Sequence, residues 1–100
     1  MPVYKLTDAA ANDIENILNY SITQFGLLQA ETYYTNLTHC LQLLDDNPAM
    51  GVDASDLRQG YRRFLHESHV IFYTTDNSGI LVIRILHKHL DAVRNLHEDF

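Results

Sequence analysis

The chain has 100 residues, of which 46% are hydrophobic, and its formal net charge is −6 at neutral pH. This length favours one domain over residues 1–100, large enough to bury a core. No apolar run approaches the roughly 18 residues of a membrane span, and the N-terminus lacks a signal-peptide layout. Because the one cysteine, Cys40, cannot form an internal disulfide, we expect a reducing cytoplasm.

The charges are distributed unevenly along the chain. Residues 1–50 contain one basic residue, Lys5, whereas the other lysines and arginines all lie between residues 58 and 94. The chain therefore has an acidic half and a locally basic half. On an acidic protein, a basic surface of this kind favours a specific anionic partner over general electrostatic attraction.

The N-terminal residues predict a short strand followed by a helix. VYKLT, residues 3–7, alternates in the manner of a strand, and Thr7 is well placed as a helix N-cap. Apolar residues then recur at helical spacing across residues 8–25, and Gly26 ends the pattern. The apolar stripe comprises Ala10, Ile14, Ile17, Leu18, Ile22 and Phe25.

A second helical stripe follows the first. It ends at Asn47-Pro48, because the residue before a proline disfavours helical geometry. Since the connection through Gly26 is short, we expect the two helices to form an antiparallel hairpin. The second stripe comprises Ala30, Tyr33, Tyr34, Leu37, Cys40, Leu41 and Leu44.

The second half predicts an irregular loop and then three strands. The loop covers residues 47–60, and the strands cover residues 61–66, 69–75 and 80–86. The turn sequence DNSG joins the last two strands as a hairpin. The order of elements predicts an α+β fold, in which an N-terminal strand and a helix hairpin precede a three-stranded antiparallel meander, with the hairpin on one face of the sheet.

The last strand divides into two faces at a period of two residues. Leu81, Ile83 and Ile85 form a purely apolar face, which we expect to pack under the helices. The other face carries an arginine among apolar residues, and we expect it to be partly open and used by a partner. That face comprises Ile80, Val82, Arg84 and Leu86.

Several segments together resemble a known family. DLRQGYRRFLHESHVIFY, followed by a turn and ILVIRILHKHLD, resembles the ParE branch of the RelE/ParE toxin superfamily. YKLTDAAANDIENILNYSITQFG and LLDDNP resemble the same branch, so that the likeness covers nearly the whole chain. It implies the RelE/ParE fold and the toxin of a bacterial type II toxin–antitoxin pair. The ParE branch acts on DNA gyrase and blocks replication, which implies binding without a catalytic residue or a cofactor.

The basic second half supplies the candidates for contact with the target. Arg84 stands out, because an unpaired charge amid apolar neighbours in a strand is costly. Arg62 and Arg63 are adjacent in a strand and point to opposite faces, so that one of them pairs with an acid or lies along the sheet edge. The candidates are Tyr61, Arg62, Arg63, Arg84, His87, Lys88, His89 and Arg94.

The other partner implied by the resemblance is an antitoxin. We expect a disordered acidic segment that folds on binding and covers the helix hairpin, the open sheet face, or both. An antitoxin carboxylate could satisfy Arg84. The candidate contacts are Val82, Arg84 and Leu86. Higher-order toxin–antitoxin assemblies stay open, and no membrane partner is expected.

Two alternative functions stay open. The RelE branch of the superfamily cuts mRNA in the ribosome, and Arg62, Arg84 and His87 could supply its cations and its acid or base. However, Val70 follows His69 where the resemblance to that branch requires an arginine. The third reading is an inactive toxin-derived domain that only assembles a complex.

The histidines also raise the question of a metal site. His66 with His69 and His87 with His89 form two pairs that could meet around zinc. With one cysteine and no helical HExxH motif, the sequence favours no metal.

Overall fold

The computed structural model describes residues 4–88 of the chain. Two helices form the hairpin, α1 at Asp8–Phe25 and α2 at Leu27–Asp46, and a short 3-10 helix follows at Pro48–Met50. The strands are β1 (Lys5–Leu6), β2 (Val52–Asp53), β3 (Arg62–His66), β4 (His69–Asp76) and β5 (Gly79–His87). Within residues 4–88, neither helix is long and apolar enough to cross a membrane.

The strands form one mixed sheet in the order β1-β5-β4-β3-β2. β1 runs parallel to β5, and the other neighbours are antiparallel. The predicted α+β fold with a helix hairpin on one face of the meander is confirmed. The sheet has two additional short pairings: the N-terminal strand joins its edge, and β2 arises within the loop predicted to be irregular. A strand of two residues, such as β2, has too little alternation to be seen in a sequence.

The start of α1 is tied to the sheet through Thr7. Its hydroxyl accepts a hydrogen bond from the Ala10 amide (3.0 Å), as an N-cap does, and donates to the Ile83 carbonyl (2.8 Å). At the other end of α1, Gly26 has φ of 89° and separates the two helices. The predicted boundaries of α1 are therefore confirmed, because its caps are both encoded locally.

Each helix is also tied to β5 by a buried aspartate. Asp13 of α1 accepts a hydrogen bond from the Ile85 amide (3.0 Å), and Asp45 of α2 accepts one from the Ile80 amide (2.9 Å). A Cβ atom at Gly79 would lie 2.1 Å from the Asp45 carboxylate, so that glycine is required at this position. The last strand is the element to which both helices are anchored.

A bulge in β5 changes which residues face the helices. Phe72 of β4 pairs with Arg84, whereas the next residue, Tyr73, pairs with Val82, and so Ile83 has no partner on β4. One extra residue shifts the alternation of the strand. The prediction that Leu81, Ile83 and Ile85 form the buried face is therefore wrong for its first two members. The β5 residues in the core under the helices are Ile80, Val82 and Ile85.

The core under the hairpin uses only part of each helical stripe. Fully buried members include Ala10 in α1 and Leu37, Leu41 and Leu44 in α2. The stripe of α1 continues past this core, and Phe25 at its end is 65% exposed. Periodicity identifies the apolar side of a helix but not how far along it the sheet extends, which leaves apolar residues exposed where the two helices connect.

Candidate functional site

The guanidinium of Arg84 is bound within the chain. Its Nε and Nη2 atoms donate to the two carboxylate oxygens of Asp13, at 2.8 and 3.0 Å. The side chains of Arg84 and Asp13 are only 18% and 9% exposed. The expectation that a partner's carboxylate satisfies Arg84 is wrong, because α1 brings Asp13 to the bulge and supplies the charge internally.

The side chain of Arg62 forms hydrogen bonds with the loop that precedes β3 in the chain. Its guanidinium donates to the carbonyl oxygens of Ala49 and Gly51, in and after the 3-10 helix. The same loop is fixed by Tyr73, whose hydroxyl donates to the Pro48 carbonyl (2.6 Å) and accepts from the Gly51 amide (2.9 Å). Arg62 therefore stabilises the turn that leads into β2.

Arg63 lies on the opposite side of β3 and forms an ion pair at the surface. Its Nη2 atom is 2.9 Å from a carboxylate oxygen of Asp56, and the side chains are 36% and 63% exposed. The prediction that the two arginines separate, with one of them pairing with an acid, is confirmed by this geometry. A surface pair of this kind contributes little to stability and leaves Arg63 accessible.

Arg63 borders an exposed apolar surface on the side of the sheet away from the helices. We call it the open sheet face and define it by Val52, Arg63, Leu65, Val70 and Lys88, which line one shallow depression. Leu65 is 58% exposed and Val52 is 63% exposed. A partly open apolar face with basic residues was predicted, but the residues that form it differ from those expected.

Three further candidates lie in less accessible positions. Val82 is 0% exposed and packs under the helices, so its assignment to the open face is wrong, because the bulge turns it inward. Leu86 is nearly buried against Phe72, with Leu57 and Val70 packed on the pair from the side away from the hairpin. Tyr61 is 8% exposed, which leaves little of its ring for contact with a target.

Three histidines form a row at the end of the sheet. His66 pairs with His69 across β3 and β4, and His69 pairs with His87 across β4 and β5. The hydroxyl of Tyr33 in α2 lies 2.6 Å from Nδ1 of His69. Burial, followed by the neighbouring His87 and His66, lowers the pKa of His69 to about 4. Among residues 4–88, no group of three potential ligands is arranged to hold a metal ion.

Only two of the three residues proposed for RNA cleavage lie near each other, and one of those two is already paired. Arg62 lies beside Tyr73, whereas His87 lies beside His69, and these two β4 positions are about 13 Å apart along the strand. Arg84 and His87 line the same shallow depression next to α1, but Arg84 is paired with Asp13 there. His89 and Arg94 lie outside the described residues.

The helix hairpin was expected as a candidate antitoxin surface, but the sequence did not identify the residues that form it. Leu18 and Ile22 of α1 and Leu27, Ala30 and Tyr34 of α2 line a groove between the helices, which we call the hairpin groove. All five residues were assigned to apolar stripes or lie next to one. The signal that could have revealed the groove is the length of the stripes, which exceeds what a small sheet can cover.

The comparisons with known proteins agree with one another. The family model described as the ParE toxin of the type II toxin–antitoxin system parDE matches residues 4–91. A protein named Toxin ParE1 from Mycobacterium tuberculosis is 35% identical over 94 residues, which covers 93% of this chain and 96% of that protein. A Toxin ParE1 from Caulobacter vibrioides is 34% identical over 96 residues, covering 96% and 99%.

A solved structure shares the fold. It is described as the chromosomal ParDE TA system from P. aeruginosa, and it matches with a TM-score of 0.73 at 19% sequence identity. The match covers 87% of this chain and 96% of that chain. The helix hairpin and sheet therefore occur together in a chain whose sequence has diverged widely.

Proposed function

The chain belongs to the ParE toxin family of type II toxin–antitoxin systems, and on this premise we propose that it arrests growth by binding DNA gyrase, without catalysis. The observation that carries the proposal is the open sheet face, an exposed apolar surface bordered by two basic side chains. Exposed apolar patches of this kind are typical of protein contact sites. Gyrase acts on the bacterial chromosome, so the proposal places the protein in the cytoplasm.

The arrangement of the basic side chains supports binding rather than cleavage. Arg63 and Lys88 lie at the border of the open sheet face, where they can attract acidic residues of a target without being buried. Leu65 and Val52 provide the apolar area. Of the three candidates for RNA cleavage, in contrast, Arg62 lies far from His87 and Arg84 is paired with Asp13. A catalytic site requires its groups within hydrogen-bond reach of one substrate.

The test is a supercoiling assay with purified gyrase, relaxed plasmid, ATP and increasing amounts of toxin. We expect loss of supercoiling or accumulation of cleaved plasmid, reversed by the antitoxin. Leu65→Ser should weaken the effect by about tenfold or more, because truncating an apolar residue inside an interface costs about 1–2 kcal/mol or more. Lys88→Ala should weaken it by about two- to fivefold, because a charge at the border of an interface mainly speeds association. Lys5→Ala, which removes an exposed lysine at the opposite edge of the sheet, is the matched control.

Growth arrest provides the second readout for the same variants. A toxin that arrests growth but leaves supercoiling unchanged would refute the gyrase proposal and direct attention to translation. A protein that neither arrests growth nor affects gyrase, while still binding its antitoxin, would indicate a domain that only assembles a complex. Equal potency of the Lys88→Ala and Lys5→Ala variants would remove the open sheet face from the model.

The second partner is the antitoxin of the pair. We propose that an acidic segment, disordered when free, folds on the toxin and covers both the hairpin groove and the open sheet face. The groove is lined by five apolar side chains, suited to an amphipathic helix, together with Glu31 and Thr35. The open sheet face carries the positive charge that an acidic segment requires. Occupation of the open sheet face by the antitoxin would exclude gyrase and so explain neutralisation.

The extended contact can be tested by truncating the antitoxin. Removal of the part that binds the hairpin groove should weaken the complex while leaving the competition with gyrase intact. Removal of the part that binds the open sheet face should abolish neutralisation even where binding persists. Full neutralisation by an antitoxin that touches only the groove would contradict the proposed mechanism of exclusion.

A further inference from the structure

A cleft at the junction of the hairpin and the sheet combines aromatic walls with a carboxylate. We call it the junction cleft. It encloses about 300 Å³. Tyr20 and Phe25 of α1 and Tyr33 of α2 form one side, and the ends of the strands form the other. The strand side includes Glu67, His69 and His87.

The electrostatic character of the junction cleft is negative at its rim. Burial, then the nearby Glu67 carboxylate and the Cys40 thiol, raise the pKa of Tyr33 to about 12. The Tyr33 phenol therefore keeps its proton, and its oxygen is within hydrogen-bond distance of Nδ1 of His69, whose ring is held neutral by burial. Glu67 is the one carboxylate among the residues that line the cleft.

The cations and titratable groups around the cleft leave this charge available. Nε2 of His66 is 3.6 Å from a carboxylate oxygen of Glu67, which exceeds hydrogen-bond distance, and the two form an ion pair only when the His66 ring is protonated. Arg84 lines the neighbouring depression together with His87, but its charge is paired with Asp13. The side chain of Glu67 is 56% exposed and can accept further hydrogen bonds from a ligand.

The backbone at Glu67 provides an independent indication. Glu67 has φ of 53°, and it is the one residue other than glycine with positive φ in the described part of the chain. It lies in the two-residue turn between β3 and β4, where glycine or asparagine is favoured. A glutamate in this conformation is strained, and strain of this kind concentrates at functional sites.

We propose that the junction cleft binds the guanidinium of an arginine side chain from a partner protein, stacked on the aromatic walls and paired with Glu67. A planar cation can lie flat on tyrosine or phenylalanine rings while its edge donates to a carboxylate. Two of the aromatic side chains that line the cleft are largely exposed, Tyr20 at 62% and Phe25 at 65%, and a small free cation would leave most of this apolar surface uncovered. A protein partner would cover them, and so the proposal commits to an arginine that is part of a polypeptide.

The first test measures binding of N-acetyl-arginine methylamide to the full chain by NMR titration. The matched neutral probe is the citrulline derivative, which has the same length and shape without the charge. We expect saturable shifts around Tyr33 and His69 with the arginine probe and at least about tenfold weaker binding of the citrulline probe. Equal binding of the two probes, or no saturable shift with either, would overturn the proposal.

Two substitutions at Glu67 separate its role in binding from its role in the fold. Glu67→Gln keeps the shape and should weaken binding of the arginine probe by about tenfold. Glu67→Asn should likewise lose binding but raise the melting temperature by about 2–4 °C, because asparagine tolerates the turn conformation. Glu31→Gln, at an exposed position outside the cleft, is the control and should bind as the original chain does. Unchanged binding in both Glu67 variants would refute the assignment of the carboxylate.

A third measurement identifies the source of the cation. A short peptide that places arginine between two leucines should bind at least about tenfold more tightly than the single-residue probe, because its apolar side chains cover the mouth of the cleft. If agmatine or the single-residue probe binds as tightly as the peptide, the cleft recognises a small free cation. That result would overturn the assignment to a partner protein.

Discussion

The substitution Arg84→Ala removes the ion-pair partner of the buried Asp13 carboxylate. In the native structure Arg84 forms an ion pair with Asp13 through two hydrogen bonds, and the Ile85 amide is the third donor to that carboxylate. Breaking a buried ion pair from one side costs about 3–5 kcal/mol. Because the Ile85 hydrogen bond remains and solvent can reach the vacated space, we expect the free energy of unfolding to fall by about 2–3 kcal/mol.

The same chain contains the matched control. Arg63→Ala breaks an ion pair of similar length with Asp56, but both of its side chains are at the surface. Exposed pairs contribute about 0–1 kcal/mol, so this substitution should lower the free energy of unfolding by about 0.5 kcal/mol. The comparison isolates the effect of burial from the effect of losing an arginine.

Urea unfolding followed by circular dichroism measures both variants, since the chain has no tryptophan to report on packing. With a slope of about 1–1.5 kcal/mol per molar urea, Arg84→Ala should lower the midpoint by roughly 2 M. A difference between the two variants of less than about 0.5 kcal/mol would show that Asp13 gains nothing from Arg84 and would refute the reasoning. If the reasoning holds, loss of toxicity in an Arg84 variant reports on folding rather than on target contact.

Three further outcomes follow from the described contacts. Gly51→Ala should destabilise the fold by about 2 kcal/mol or more in thermal unfolding, because the added Cβ would lie 2.3 Å from the Tyr73 hydroxyl. The pKa of His69 is 6.5 in the unfolded chain but about 4 in the folded chain. The unfolded state therefore binds a proton first, and the free energy of unfolding should fall as the pH drops from 6.5 to about 4. After allowance for solvent screening, we expect a fall of about 1–2 kcal/mol. This drop should be smaller in His69→Phe and unchanged in the exposed control His39→Asn. Thr7→Ala should cost about 1–2 kcal/mol in urea unfolding through loss of the cap and of the bond to β5; a loss below about 0.3 kcal/mol would contradict the capping role.

The helix hairpin could be predicted from the sequence because its signals are local. Thr7 and Gly26 mark the ends of α1, and long apolar stripes mark both helices. The β4–β5 turn was equally clear from its residues. Each of these features depends on neighbours a few residues apart, and the physical preference of a residue for a cap, a helix face or a turn is expressed at that range.

The bulge and the ion pair of Arg84 depend on contacts between distant residues. No glycine or proline near Ile83 marks the extra residue of the bulge. A strict alternation through β5 therefore assigns the residues before the bulge to the wrong face of the sheet. Asp13 is the one local signal of this ion pair in the sequence. It follows Ala10 by three residues and precedes Ile17 by four, which places a carboxylate on the apolar side of α1. An acid in that position indicates a buried partner, and Arg84 is the matching charge in a strand.

The open sheet face was predicted in kind but not in its residues. The apolar strands indicated such a surface, and two of its residues, Arg63 and Lys88, had been named only as candidates for contact with the target. Its apolar part could not be predicted, because Val52 belongs to a strand of two residues inside a loop. Which side of a sheet stays uncovered depends on where the helices pack, and that is a property of the whole fold.

The attachment of both helices to β5 determines when the protein can fold during its synthesis. β5 is the strand that pairs with β1 and that donates to both aspartate anchors. A nascent chain whose β5 is still inside the ribosomal exit tunnel therefore cannot complete its sheet. Such long-range pairing delays folding until late in translation. We expect chains stalled with Ile80 inside the tunnel to be cleaved by a protease that spares released chains. The toxin would then acquire its binding surfaces all at once, when β5 leaves the tunnel, and an antitoxin already present would meet them fully formed.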